Sequence, residues 1–318
     1  MRIGAHESIA GGHYRAFERA SADGAEALQI FTKSGRQWAA RPLGEEEVRL
    51  FRAGAERTGL PVIAHASYLV NLGAPAGEVR EKSVAAFRDE LERCERLGIP
   101  WLVVHPGANP DEAQGLELVV EAVKEALFAT AGAQAGVLFE GTAGQGSCLG
   151  HRFEQLARLL DGVASPGRSG VCLDSCHLFA AGYDLATDDG YDRTMRELDR
   201  LVGAAAVRAL HLNDAKKGLG CRVDRHEHIG EGTLGLSAFA RLVRDERFSG
   251  LPALLETPPG KWPEEVAMLK ALRDGRTPAR PPVHQKTVSG GPRGAAVAKA
   301  AGTRHSTLVA PGAAPVRR

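Results

Sequence analysis

Eight short hydrophobic runs punctuate the first 256 residues, and six of them close on a candidate metal ligand. The six read Pro61-Val-Ile-Ala-His65, Trp101-Leu-Val-Val-His105, Gly136-Val-Leu-Phe-Glu140, Gly170-Val-Cys-Leu-Asp174, Val207-Arg-Ala-Leu-His211 and Pro252-Ala-Leu-Leu-Glu256. Arg2-Ile-Gly-Ala-His6 and Glu26-Ala-Leu-Gln-Ile-Phe31 complete the count. Each has the pattern of a buried strand. A strand must stop somewhere, so one polar ending means little. Six point to several strands delivering ligands to a common mouth, as side chains at the carboxyl ends of a parallel barrel do.

The stretches between the runs carry helical periodicity. Val84, Phe87, Leu91 and Cys94 recur at three- and four-residue steps, as do Val119, Val120, Val123 and Leu127, and Phe153, Leu156, Leu159 and Leu160. Strands alternating with helices over some 270 residues predict an α/β fold, a (β/α)8 TIM-type barrel. An open doubly wound sheet is the alternative, and a functional residue at nearly every strand end favours closure. The barrel domain is expected over residues 1–277. Residues 278–318 are rich in Pro, Gly, Ala and Thr without hydrophobic periodicity, which predicts a disordered basic tail.

The net charge of +1 is unevenly spread. From Arg276 onward there are eight basic residues and no acid, leaving 32 basic against 39 acidic residues in the body. Three divalent ions would bring that body near neutrality, so charge neither announces nor excludes a nucleic-acid partner. Five irregularly spaced cysteines, Cys94, Cys148, Cys172, Cys176 and Cys221, do not form a disulfide framework. Cys172 and Cys176 flank Asp174 and read as packing residues rather than zinc ligands, because no second close pair accompanies them. The first strand pattern begins directly after Met1, and no apolar run approaches the roughly 20 residues of a membrane span. A cytoplasmic setting with access to the nucleoid and no membrane partner is expected.

Three further candidate donors, His177, Asp224 and His226, lie beyond strand ends and raise the total to five imidazoles and four carboxylates. That exceeds what one ion takes and suits a cluster of borderline ions such as zinc. Metals roughly 3.5–4 Å apart clamp the attacking and leaving oxygens of a displacement at phosphorus and make hydroxide available near neutrality. The chemistry implied is phosphoester hydrolysis. Taken singly the pieces are weak: Asp174 and His177 could be a helix-capping Asp and an unrelated histidine, and Gly230-Glu-Gly232 only a tight turn.

Jointly the segments resemble those of the endonuclease IV family. They include Gly4-Ala-His6, Phe31-Thr-Lys33 with Arg36-Gln-Trp38, His65-Ala-Ser-Tyr-Leu and His105-Pro-Gly107. Glu140 with Thr142-Ala-Gly-Gln-Gly146, Asp174-Ser-Cys-His177, His211-Leu-Asn-Asp214, Arg222-Val-Asp224-Arg-His226 and Leu255-Glu256-Thr257 continue the match in order to about residue 272. The resemblance implies a zinc-dependent deoxyribonuclease of base excision repair. Such an enzyme cuts double-stranded DNA on the 5′ side of abasic (AP) sites, leaving a 3′-hydroxyl and a 5′-deoxyribose phosphate, and trims blocked 3′ ends. It also implies three zinc ions per chain. His65, His105 and Glu140 would hold the first. Glu140 would bridge to a second on Asp174, His211 and Glu256, while His177, Asp224 and His226 would hold the third. A metal-activated hydroxide would attack, with Glu140 helping to orient it. Arg36, Gln37, Tyr68 and Leu69 would enter the DNA at the lesion, and Lys216, Lys217 and Arg222 would touch phosphates. A monomer is expected. Gly141 departs from the family, where a side chain such as Asn or Thr usually follows the bridging Glu, so a supporting hydrogen bond is in question. Two rivals stand beside this reading. One is a sugar isomerase holding a single ion on Glu140, Asp174, His211 and Glu256, and the other a non-catalytic DNA-binding module.

Overall fold

In the computed structural model, which describes residues 1–277, the eight runs are the eight staves of one closed barrel. The staves are β1 (Arg2–His6), β2 (Ala27–Phe31), β3 (Val62–His65), β4 (Trp101–Val104), β5 (Gly136–Glu140), β6 (Ser169–Asp174), β7 (Val207–His211) and β10 (Pro252–Leu255). Every neighbouring pair is parallel, and the ring closes where β1 pairs with both β2 and β10. Two-residue strands β8 (Asp214–Ala215) and β9 (His226–Glu227) form an antiparallel hairpin above the ring. The tail expected from Pro278 onward lies outside the described residues.

The three stripes read from sequence fall on α3 (Glu78–Leu97), α4 (Glu112–Ala129) and α5 (Phe153–Val163), and each buries its apolar face against the sheet. Around the rest of the barrel run α1 (Arg15–Ala22), α2 (Glu45–Thr58), α6 (Ser175–Ala181), α7 (Asp188–Leu201), α8 (Gly235–Arg244) and α9 (Trp262–Arg273). Helices α4 and α7 start on a side-chain cap: Asp111 accepts from the Gln114 amide, and Thr187 from the Gly190 amide.

The barrel interior is packed rather than hollow. Ala27, Ile63, Val103, Leu138, Cys172, Ala209 and Leu254 form one internal cluster, each from a different strand. Cys172 is therefore a core filler, as expected. Continuous burial along β5 and β6, which are covered on both faces, explains why their sequences read as unbroken apolar runs. Gly4 is required on β1, because a Cβ there would stand 1.8 Å from the Ala27 carbonyl oxygen. The parallel register aligns strand ends at one rim: Asp174 of β6 sits beside His211 of β7, and Phe31 of β2 beside His65 of β3. No helix among the described residues is long and apolar enough to cross a membrane.

Candidate metal centre and DNA-facing rim

Glu140 ends β5 at the centre of the rim, fully buried, with imidazoles around both oxygens. Its Oε2 lies 3.0 Å from His65 Nε2 and 3.1 Å from His105 Nε2. Its Oε1 lies 3.0 Å from His211 Nδ1 and 3.1 Å from His177 Nδ1. His211 Nδ1 also stands 3.3 Å from Glu256 Oε2 and 3.9 Å from Asp174 Oδ2. A third set closes over the mouth, where His177 Nε2 and His226 Nε2 are each 3.3 Å from Asp224 Oδ1 and 3.4 Å from one another. All nine expected donors thus meet in one chain of contacts.

These spacings suit metal ions. Donors bound tetrahedrally at 2.0–2.1 Å lie about 3.3 Å apart along each edge. Ring orientation adds to the fit. His65 turns Nδ1 to the Ala66 carbonyl at 2.7 Å, His177 to Gly141 at 3.0 Å, and His226 to Glu256 at 3.2 Å. Each such N–H donates to a backbone oxygen, leaving the opposite nitrogen as a lone pair turned inward. Two lone pairs 3.4 Å apart on His177 and His226 repel one another unless a proton or a cation lies between them. The donor set divides into His65, His105 and Glu140; Glu140, Asp174, His211 and Glu256; and Asp174 with His177 and His226. Cys176 groups with Asp224 and His226 as well, although its thiol points to the Arg225 carbonyl at 3.6 Å.

Asp174 does two jobs that sequence presented as alternatives. Its Oδ1 caps α6 by accepting the His177 amide at 2.8 Å, while Oδ2 faces the cluster and accepts from Asn213 at 2.6 Å. Asn213 also accepts the Glu256 amide at 2.8 Å. It belongs to the motif around His211, yet nothing in its spacing marked it as a brace between two donors. The support in question at Gly141 comes from its own carbonyl, which takes the His177 Nδ1 proton.

Electrostatics agree with geometry. Burial alone would raise the Glu140 carboxyl, but His211 and His105 hold it well below the usual range. Burial likewise opposes charge on His177, yet Asp174 and Asp224 raise it well above an ordinary histidine. Asp224, despite its own burial, is drawn down to about 2 by His177 and His226. Burial pushes the Cys172 thiol up to about 11 and the Cys176 thiol higher still, so neither offers a thiolate beside the cluster. The centre is closed beneath, with Glu140, Asp174 and His211 inaccessible, and open where His105 and Asp224 are 37% and 43% exposed.

Two loops flank that opening. Arg36 and Gln37 are exposed on the loop after β2, and Tyr68 and Leu69 follow β3. The Tyr68 ring is 65% exposed and touches the Phe31 ring edge-on at 5.2 Å between centroids, with His65 at 6.1 Å. Partial desolvation on its inner side, with the charges of Glu256 and Glu140, raises its phenol to about 12, so it stays neutral. The loops are fastened together: the Tyr68 amide and the Ser67 hydroxyl both donate to the Gly35 carbonyl, at 3.1 and 3.0 Å. Lys33 turns inward, reaching Asp89 at 3.0 Å and Glu90 at 3.6 Å, and Glu90 accepts the Ser67 amide. Lys216, Lys217 and Arg222 are exposed between β8 and β9.

Residues 17–272 match the family model described as a xylose isomerase-like TIM barrel. The chain is 50% identical to the probable endonuclease 4 of Chloroflexus aurantiacus over 281 residues, covering 86% of this chain and 99% of the relative. It is also 50% identical to that of Geobacter sulfurreducens, over 85% of this chain and 93% of the relative. The chain belongs to the endonuclease IV family. The crystal structure of endonuclease IV from Thermus thermophilus superposes on it with a TM-score of 0.77 at 44% identity, covering 86% of this chain and 98% of that one. A D-tagatose 3-epimerase-like protein shares the fold, with a TM-score of 0.68 at 18% identity. That likeness extends to architecture only, so the isomerase alternative gains no support beyond the barrel.

Proposed function

We propose that the protein is an AP endonuclease of DNA repair, hydrolysing the phosphodiester 5′ to an abasic site in duplex DNA and trimming blocked 3′ ends. The observation that carries this reading is the convergence of five imidazoles and four carboxylates at a rim open on one side and flanked by two exposed loops. His65, His105 and Glu140 would hold one zinc ion, Glu140, Asp174, His211 and Glu256 a second, and His177, Asp224 and His226 a third. Bound zinc would supply Lewis-acid stabilisation of charge on the phosphate and a hydroxide nucleophile at neutral pH.

The chain's own residues bind, orient and exclude. The backbone carbonyls of Ala66, Gly141 and Glu256 fix three imidazole rings before substrate arrives. Glu140, with imidazoles against both oxygens, would serve the first and second sites together and orient the attacking group. The Cys172 and Cys176 thiols and the Tyr68 phenol stay protonated and are not poised as nucleophiles. Tyr68 and Leu69 enter the gap left by the missing base, where least stacking is lost, while Arg36 and Gln37 engage the strand around it. The protein acts as a monomer on DNA.

Glu140→Gln tests the mechanism. It removes the charge between the first two sites while keeping the shape of the side chain. Single-turnover nicking of an abasic duplex should fall by about a hundred- to a thousandfold, the range seen on losing a principal electrostatic group. Nicking near the wild-type rate would contradict the role given to Glu140.

A further inference from the structure

Of the five imidazoles at the centre, His211 faces the carboxylates through Nδ1 only; His65, His105 and His226 face them through Nε2, and His177 sets Nε2 against Asp224 while its Nδ1 lies 3.1 Å from Glu140 Oε1. His211 is also the one whose outer nitrogen meets a side chain rather than a backbone carbonyl: Nε2 lies 2.8 Å from Gln29 Oε1. Gln29 sits in the middle of β2, fully buried, where a barrel strand would ordinarily carry an aliphatic residue. A buried amide on an apolar strand is costly unless each of its polar atoms is satisfied. Here each is. The amide nitrogen lies 2.6 Å from Glu256 Oε1 and 2.9 Å from His6 Nδ1.

The contacts determine which way the amide faces. Glu256 Oε1 is a carboxylate oxygen and only accepts, so the Gln29 atom 2.6 Å from it must be the NH2 group. The other end is then the carbonyl oxygen, which only accepts, and His211 Nε2 must carry a proton. Nδ1 is thereby left as the ligand atom, and it is the atom nearest Glu140, Glu256 and Asp174. One side chain from β2 thus braces donors from β7 and β10.

We propose that Gln29 is a positioning residue of the metal centre: it fixes the tautomer and ring angle of His211 and holds Glu256 so that both reach the second site preset. This rests on the metal reading of the centre given above. A backbone carbonyl could not do the same, because it offers no donor for Glu256. Only an amide has both an acceptor for the imidazole and hydrogens for the carboxylate and His6.

The test uses the full-length protein with 15N-labelled histidine, as wild type, Gln29→Met and Gln29→Glu. Methionine keeps the length of the side chain and removes both hydrogen-bonding functions; glutamate restores only the acceptor. In wild type, His211 should show a slowly exchanging Nε2 proton with or without zinc. Gln29→Met should lose that protection and bind its zinc 10–100-fold more weakly in chelator competition, the usual cost of removing such a support. Gln29→Glu should restore the protected Nε2 proton. Thermal melts confirm that each variant folds. Retention of both the protected proton and zinc affinity within twofold in Gln29→Met would overturn the proposal, as would failure of Gln29→Glu to restore the proton. If the wild-type protein binds no zinc, the metal reading fails instead, and the His211 proton in metal-free protein still decides the role of Gln29.

Discussion

Glu7 shows how one side chain beside the site ties stability to pH. It is buried, and burial followed by the neighbouring Asp23 raises its carboxyl to about 8, against the opposing pull of Arg19. The folded state therefore holds a proton that the unfolded chain releases near pH 4.5. Unfolded protein binds fewer protons between pH 4.5 and 8, so this group lowers stability as pH rises through that window. Glu7→Gln should leave melting unchanged near pH 4.5 and raise the melting temperature by several degrees at pH 8. A pH-independent difference in differential scanning calorimetry would show that Glu7 does not titrate as described. Tyr68 carries a different expectation. Removing its exposed ring should weaken binding to an abasic duplex by about 1–3 kcal/mol, with zinc content unchanged. Unaltered affinity of Tyr68→Ala in fluorescence anisotropy would remove it from the lesion. Six of the nine donors were legible because imidazoles and carboxylates at the ends of apolar runs have few other reasons to recur; His177, Asp224 and His226 were legible through the motifs shared with the family. Gln29 was not legible. A single amide inside a strand looks like any other polar interruption until its partners on three other strands are in place.

At the scale of elements, strand positions and three helical stripes were readable from periodicity, since burial on one or both faces leaves its period in the chain. The hairpin β8–β9 left no such trace, being two residues on each side. Yet it carries His226 back over the mouth. What holds it is the buried Asp214 carboxylate, which accepts the amides of Ala215, Gly230, Gly232 and Leu234 at 2.8, 2.9, 3.1 and 3.0 Å. The Gly230-Glu-Gly232 segment, weak when taken singly in the sequence, is the wrapping around that carboxylate. A Cβ at Gly232 would stand 2.4 Å from Asp214 Oδ1 and 2.6 Å from the Ala215 carbonyl oxygen. Gly232→Ala should therefore displace the hairpin and cost one zinc ion of three while leaving the donors on β3, β4 and β5 in place. Elemental analysis after dialysis checks this, and an undiminished zinc count would mean that the hairpin tolerates the shift. The coupling of the loops after β2 and β3 through Gly35, Ser67 and Glu90 was equally hidden, because it depends on contacts between segments 32 residues apart.

For the whole molecule, closure of the sheet brings residues from positions 65 to 256 to one rim, and the order of the strands does the rest. The barrel was predictable because its strands recur with ligands at their ends; the isomerase alternative arose from the same regularity, since four of the nine donors suffice for one ion. The match to endonuclease 4 relatives separates the chain from the isomerases, and the other five donors and the two exposed loops fit that assignment. The direct test is to incubate the full-length protein, as purified and without added magnesium, with a duplex bearing one tetrahydrofuran abasic analogue, alongside elemental analysis of the same sample. About three zinc ions per chain are expected, with a single incision 5′ to the analogue that leaves a 3′-hydroxyl extendable by a polymerase. A zinc-replete sample that leaves the duplex intact, or a chain that holds one magnesium or manganese ion and no zinc, would contradict the proposed function.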